Sequence, residues 1–447
     1  MRNQLSSYQI KGIKSLVSNN HFALLWSMRL RKSIVLIRFI RLYQLYPVLI
    51  SAPFSAIYEW KDQLINDGVK DSHIVIISDK PSKRFRQDQL RKIDHSEYIF
   101  IMNHDCYKSV PEIGNMFFEC MIFDEAHNLK NPKSKMSQFY IRNFRSVNHR
   151  IVLTGTWISE SELDLFQIFK FLDYSYVFPY DNYWQCRHAL FTNEHFEWIM
   201  KPQGKKYFSN LLVNYAHTLE YADAGVEDKV VEIYRYVELK SNVREYYETL
   251  LNKFILEDEW VQKSTIFAAV NYTWMRQLLS GFIEDRLLNK SKLDELDLLL
   301  NTEFKNKKVI IWCYFKEECK SIAKYLNCYY LTGDIKLKDR EYLKNSFNHG
   351  RLNRLVIIAR KGVATEGTNL SSADAQIYMT VPESQIILNQ SKRRLFDIDQ
   401  EQLKPCIYLV TKDTIDEIII DSHKKKTNCR KVIYEYAKRI SKKCING

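Results

Sequence analysis

Residues 121 to 130 read Met-Ile-Phe-Asp-Glu-Ala-His-Asn-Leu-Lys, an apolar run that stops on the paired acids Asp124 and Glu125. A buried parallel strand over 120–123 would deliver both carboxylates to the carboxyl edge of a sheet. There one can hold Mg²⁺ and the other can orient a water for attack on a γ-phosphate. The same four letters also fit an ordinary strand followed by an acidic helix cap, so the rest of the chain has to decide. Cys186, His188 and His195 are the nearest approach to a transition-metal cluster, and they lack a fourth ligand. Basic residues gather in two stretches, Lys80 to Lys92 and Lys424 to the end, where a solvated helix face competes with a polyanion path as the explanation.

The elements that must position the acid pair are short apolar or β-branched runs at 22–26, 48–51, 73–77, 98–102, 120–124 and 150–154, separated by helical patterns. Strands separated by crossovers predict an α/β fold with a doubly wound, mostly parallel sheet. A second series at 309–312, 328–331, 355–358, 376–380 and 406–410 predicts a second lobe of the same kind. Between them, residues 242–300 are charged and helical in period, and the join is expected near Tyr221 to Asp228. The expected division is a first lobe over 1–222, a connecting helical segment over 223–300 and a second lobe over 301–447. At 447 residues the chain exceeds one compact core. Its 66 Lys+Arg against 53 Asp+Glu give a net charge of +13, which favours a polyanionic partner. The greasiest run, 34–42, is interrupted by Arg38 and Arg41, so no segment is expected to span a membrane. Nine scattered cysteines without a Cys-x-x-Cys pair suit reduced, buried thiols inside a cell.

In order along the chain, Leu5 to Gly12 with Gln9, Ser51-Ala-Pro53 with Trp60, Asp124 to Pro132, Leu153 to Thr156, Glu366 to Leu370, Gln390 through Arg394 to Gln400 and Val410 to Glu417 resemble the motifs of the Swi/Snf-type branch of the superfamily-2 DEAD/DEAH-box helicases. The extended acidic motif, Asp-Glu-Ala-His-Asn-Leu-Lys-Asn-Pro, is the most diagnostic of these. The resemblance implies two RecA-like lobes, with ATP and Mg²⁺ as cofactors and a helicase-like ATPase activity that translocates along duplex DNA. For the nucleotide it implies Gln9 at the adenine edge, Lys32 at the β/γ-phosphates, Arg29 and Arg31 beside them, and Gly367 and Gln390 from the second lobe. Ser33 and Asp124 would hold Mg²⁺, Glu125 the attacking water, His127 the coupling between sites and Arg394 the γ-phosphate. Ser51, Pro53, Thr154, Gly155, Thr156 and Asn369 would face the nucleic-acid backbone, independently of sequence. A monomer is expected, intracellular, with room for a protein partner.

Two departures bear on the chemistry. Where the family's phosphate loop has two glycines, this chain has Arg29 and Arg31, and a residue with a Cβ loses about 1–2 kcal/mol if forced into a left-handed conformation. Where the last motif has a second arginine, the chain has Asp397, and a phosphoryl-facing arginine is worth roughly 10³–10⁵ in rate. Trp157 replaces a customary proline. A working or slow DNA-dependent ATPase is therefore set against a catalytically impaired relative that binds DNA or a partner. An RNA helicase fits the tail of the acidic motif less well.

Overall fold

A computed structural model describes residues 4–77, 97–155, 162–173, 182–194, 197–227, 229–253, 255–257, 262–264, 268–283, 286–350, 352–360, 370–396 and 402–425, together with positions 82, 84, 180, 363 and 400. The chain divides into two compact units, Met1–Glu227 and Asp228–Gly447.

The first unit is built on β1 (His21–Trp26), β2 (Val48–Ala52), β3 (Ile74–Ile76), β4 (Ile99–Asn103), β5 (Cys120–Phe123) and β6 (His149–Leu153). All six expected runs are strands. A hairpin, β7 (Phe191–Glu194) with β8 (Glu197–Met200), follows, and then β9 (Ala216–Leu219). The seven-stranded sheet runs β3-β4-β2-β5-β6-β1-β9, with each neighbouring pair parallel. Every residue of β2 and β5 is buried, as two covered faces require. Helices α1 (Ser7–Ser18), α2 (Lys32–Tyr43) and α3 (Ile57–Asn66) pack beside the sheet, and α2 buries Val35, Leu36, Ile37, Phe39 and Ile40.

In the second unit, β10 (Val230–Val237) precedes two hairpins, β11 (Ile255–Glu257) with β12 (Gln262–Ser264) and β13 (Phe282–Ile283) with β14 (Arg286–Leu287). The expected strands follow as β15 (Val309–Cys313), β16 (Tyr329–Leu331), β17 (Arg354–Ile358), β18 (Ala375–Tyr378) and β19 (Lys404–Thr411). The parallel order is β10-β19-β18-β15-β17-β16. Apolar side chains cover both faces, one set centred on Trp312, Tyr378 and Tyr408 and the other on Ile311, Ile377 and Leu409. The two-lobed α/β expectation holds.

Residues 230–300, within the stretch expected as a connecting helical segment, pack with the second unit. β10 adds an edge strand to the second sheet, and Val243, Tyr247 and Leu250 share a core with Met275, Leu278 and Ile415. The helix Ala268–Ser280 is also tied to the sheet by Arg276, only 1% exposed. Its guanidinium donates to Glu383 Oε1 at 2.6 Å and to the Val381 carbonyl at 2.5 Å, and lies 4.1 Å from the Tyr314 ring. Arg276→Met is expected to cost about 3 kcal/mol in urea unfolding, because Glu383 is left largely buried without its cation. A loss below about 1 kcal/mol would show that the ring contacts alone hold the helix. Among the described residues, no helix is long and apolar enough to cross a membrane.

Candidate nucleotide site

The site begins where β1 ends. After Trp26 the chain turns through residues 27–31 into α2, with Arg29 at φ 66° and Arg31 at φ 54°. Both arginines therefore keep the left-handed backbone that favours glycine, at about 1–2 kcal/mol each. The tight bend survives the substitutions, and the strain is what they add.

Neighbouring elements hold this bend. Ser27 N donates to Leu219 O at 2.8 Å, the Tyr221 hydroxyl donates to Met28 O at 2.8 Å, and Ser27 Oγ donates to Glu220. From the other side, a Cβ on Gly155 would stand 2.6 Å from Met28 Cγ and 3.2 Å from its backbone nitrogen. Glycine is what lets the turn after β6 lie against the phosphate loop. A comparable approach brings α1 onto β1: a Cβ on Gly12 would meet the Trp26 indole at 2.6 Å. Gln9, on the same helix, is buried and accepts from Ser6 N at 3.0 Å through Oε1, leaving the amide nitrogen out of that bond.

Lys32 donates through Nζ to Trp26 O at 3.0 Å and Ser27 O at 3.2 Å. Burial lowers the pKa of its ammonium and the charges of Glu125 and Asp124 offset this only in part, so the lysine lies within the field of the acid pair. The sheet order explains the encounter: β5 and β1 flank β6, and strands lie about 4.8 Å apart. Ser33 Oγ is turned onto Gln63 Oε1 of α3.

Asp124 accepts from Trp60 Nε1 at 2.9 Å and from Glu125 N at 2.9 Å, while its own backbone N–H is fixed to Ser51 O at 2.8 Å. Burial, then the adjacent Glu125 charge, pushes its carboxyl up to about 7. Glu125 takes a left-handed φ of 49° at the head of the turn Ala126–Leu129, and its Oε2 lies 3.2 Å from His127 Nδ1. That nitrogen is 3.5 Å from Thr154 Oγ1, which links the acid pair to the segment after β6. Trp60 and Gln63, one turn apart on α3, therefore orient the two side chains assigned to Mg²⁺. Trp60 was legible as a motif residue, whereas Gln63 was marked only by its place one turn further along the helix. Tyr221 and Glu220 gave no signal.

The oxygen donors assigned to the metal, the Asp124 carboxylate and the Ser33 hydroxyl, are of the kind a hard divalent cation takes, each braced by a residue of α3. Because burial and the adjacent Glu125 charge push the Asp124 carboxyl up to about 7, a metal held there would displace a proton below neutrality. Mg²⁺ affinity in the presence of ATP is expected to rise about tenfold per pH unit up to about pH 7 and then level. Calorimetric titration at pH 6, 7 and 8 measures this, and a flat profile would reject it. The sign for stability is the reverse. The folded metal-free state binds a proton that the unfolded chain has released, so this group lowers stability as pH rises from about 4 to about 7.

Three of the residues expected at the nucleic-acid backbone have buried side chains. Ser51 is fully buried, with Oγ bonded to His104 Nδ1 and the Tyr140 hydroxyl, both at 2.8 Å. Pro53 and Thr154 are buried as well. These side chains build the floor of the carboxyl edge and present no donor outward, since parallel strands covered on both faces bury their ends. Gly155 is half-buried against Met28. In the second unit, Gln390 sits buried on the helix Gln385–Lys392 with its Nε2 lacking a hydrogen-bond partner, and Arg394, nine-tenths buried, follows that helix. Tyr378 to Ser391 at 2.6 Å and Gln376 to Lys392 O at 3.0 Å fix the helix to the sheet. Cys186 is a core residue whose thiol burial pushes up to about 12. Thr156, Trp157, His195, Glu366, Gly367, Thr368, Asn369, Asp397, most of 80–92 and residues 426–447 lie outside the described residues.

A lysine after a tight strand-to-helix turn, within the field of an Asp-Glu pair at the carboxyl edge of a parallel sheet, and a second parallel α/β unit are the features to set beside known proteins. Residues 5–293 match the SNF2-related domain and residues 291–398 the helicase conserved C-terminal domain, and the chain belongs to the SNF2-related family. It is 27% identical over 276 residues to human chromodomain-helicase-DNA-binding protein 7, covering 56% of this chain and 9% of that one. Human chromodomain-helicase-DNA-binding protein 8 is 26% identical over 280 residues, 56% of this chain and 10% of that one. The matched stretch thus spans about a tenth of the length of these relatives. Among solved structures, the SWI2/SNF2 ATPase core of Sulfolobus solfataricus in complex with dsDNA is 19% identical, covering 99% of this chain and 95% of that one at a TM-score of 0.44.

Proposed function

We propose that this chain is a helicase-like ATPase that binds duplex DNA and couples ATP hydrolysis to translocation or remodelling along it. The observation that carries the proposal is Lys32 lying within the electrostatic field of Asp124 and Glu125, beside a loop that keeps its bend. ATP would supply the transferable phosphoryl group, and Mg²⁺ held by Ser33 and Asp124 would supply charge to offset that of its phosphates. Lys32 neutralises phosphate charge, Ser33 and Asp124 offer metal ligands, and Gln9 offers an amide to the base. Glu125 accepts a proton from water, and His127 relays the state of that carboxylate to Thr154 beside the loop. DNA contact falls to backbone amides and surface cations rather than to Ser51, Pro53 or Thr154, which suits grip without regard to sequence.

Phosphate release measured with and without duplex DNA is the direct test. Stimulation by DNA is expected, and equal rates with and without it would remove the motor. A second reading is favoured by the strained arginines at 29 and 31 together with Asp397: an impaired relative that clamps DNA or a partner. Tight ATP binding with no turnover selects it. An intracellular monomer is the form expected of either.

A further inference from the structure

The helix Tyr183–Leu190 carries a cluster that the nucleotide site does not use. Its start is fixed by Gln185 N donating to Asn182 Oδ1 at 3.0 Å, and Cys186 and Leu190 face the core. Its end is tied down by Lys201 Nζ, which donates to His188 O and Ala189 O, each at 3.0 Å. On the remaining face, Trp184 and Arg187 lie one turn apart, and Trp198 of β8 comes up beside them. The Arg187 guanidinium carbon lies 4.4 Å from the Trp184 ring centre and 4.1 Å from that of Trp198. Lys133 Nζ stands 5.2 Å from the Trp184 ring, and Trp184 remains 42% exposed.

A guanidinium flanked by two indoles is held as a plane, with its faces dehydrated and its N–H edge still to be satisfied. Arg187 Nε is buried without a hydrogen-bond partner, and among the described residues no carboxylate forms an ion pair with this guanidinium. An anion presenting two oxygens matches such an edge. Lys133 follows Lys130, Asn131 and Pro132 at the tail of the acidic motif, so the cluster is joined to the nucleotide site by a few residues of chain. The net charge of +13 points to a polyanion as the source of those oxygens.

We infer that the Trp184–Arg187–Trp198 stack, with Lys133, receives a phosphate of duplex DNA. The inference rests on the DNA-binding reading above and extends it to a specific surface of the first unit. Binding of the full chain to a fluorescent duplex, followed by anisotropy across a salt series, tests it. Arg187→Glu is expected to weaken binding about tenfold at low salt and to reduce the slope of log affinity against log salt by about 0.9. Lys133→Glu, at an exposed side chain, should act in the same direction and carries the test if Arg187→Glu fails to fold. Wild-type affinity and slope in both variants overturn the inference, including the case in which an acidic peptide occupies the stack. If the unaltered chain binds no duplex at any salt, the functional reading falls as well.

Discussion

Glu125→Gln is expected to lower DNA-stimulated phosphate release by roughly 10²–10⁴-fold while ATP binding persists. Glutamine preserves the shape of the side chain and its contact near His127, but an amide cannot accept the proton that water must lose. Binding is retained because Lys32, the backbone of the loop and Asp124 are untouched. The substitution has a second readout. The Glu125 charge is one of the causes that raise the Asp124 pKa, so its removal lowers that pKa. The pH at which Mg²⁺ binding levels off should therefore move downward. An unchanged rate together with an unchanged pH midpoint would mean that Glu125 is a positioning carboxylate at most.

Asp397→Arg should act in the opposite direction, raising the DNA-stimulated rate by about 10³-fold, the low end of what an arginine contributes at a transferring phosphoryl group. The resemblance places an arginine at this position, and a carboxylate there repels the charge that develops. Neighbouring Arg393 is a poor substitute, because its guanidinium lies over the Phe396 ring at 5.5 Å. Steady-state phosphate release at saturating DNA measures the gain. A rate that stays at the wild-type value would show that the position does not face the phosphoryl group, and would favour the impaired relative.

The strands of both sheets were legible because parallel strands buried on two faces become continuous apolar runs. Val309–Cys313 and Cys120–Phe123 are clear cases. β9 escaped notice because Ala-His-Thr-Leu at a sheet edge needs no such run. β10 reads Val-Val-Glu-Ile-Tyr-Arg-Tyr-Val, half-buried and paired on one side only, and its charged positions made it look like connector. The acid pair and Lys32 were legible as letters. The burial of Ser51 and Thr154 was not, since a hydroxyl reads the same whether it faces solvent or a partner such as Tyr140.

What the amino-acid sequence determined by itself was local: which runs extend, where a strand ends on two carboxylates, and that a lysine follows a turn able to bend around phosphate. Tertiary structure alone decided that the turn keeps a left-handed backbone through two arginines, that Trp60 and Gln63 hold Asp124 and Ser33, and that Tyr221 and Gly155 brace Met28. Those outcomes depend on strand neighbours far apart in the chain, with β1 set between β6 and β9 and β5 between β2 and β6. Contacts across a sheet are fixed by pairing order and close packing, which no local pattern of residues records.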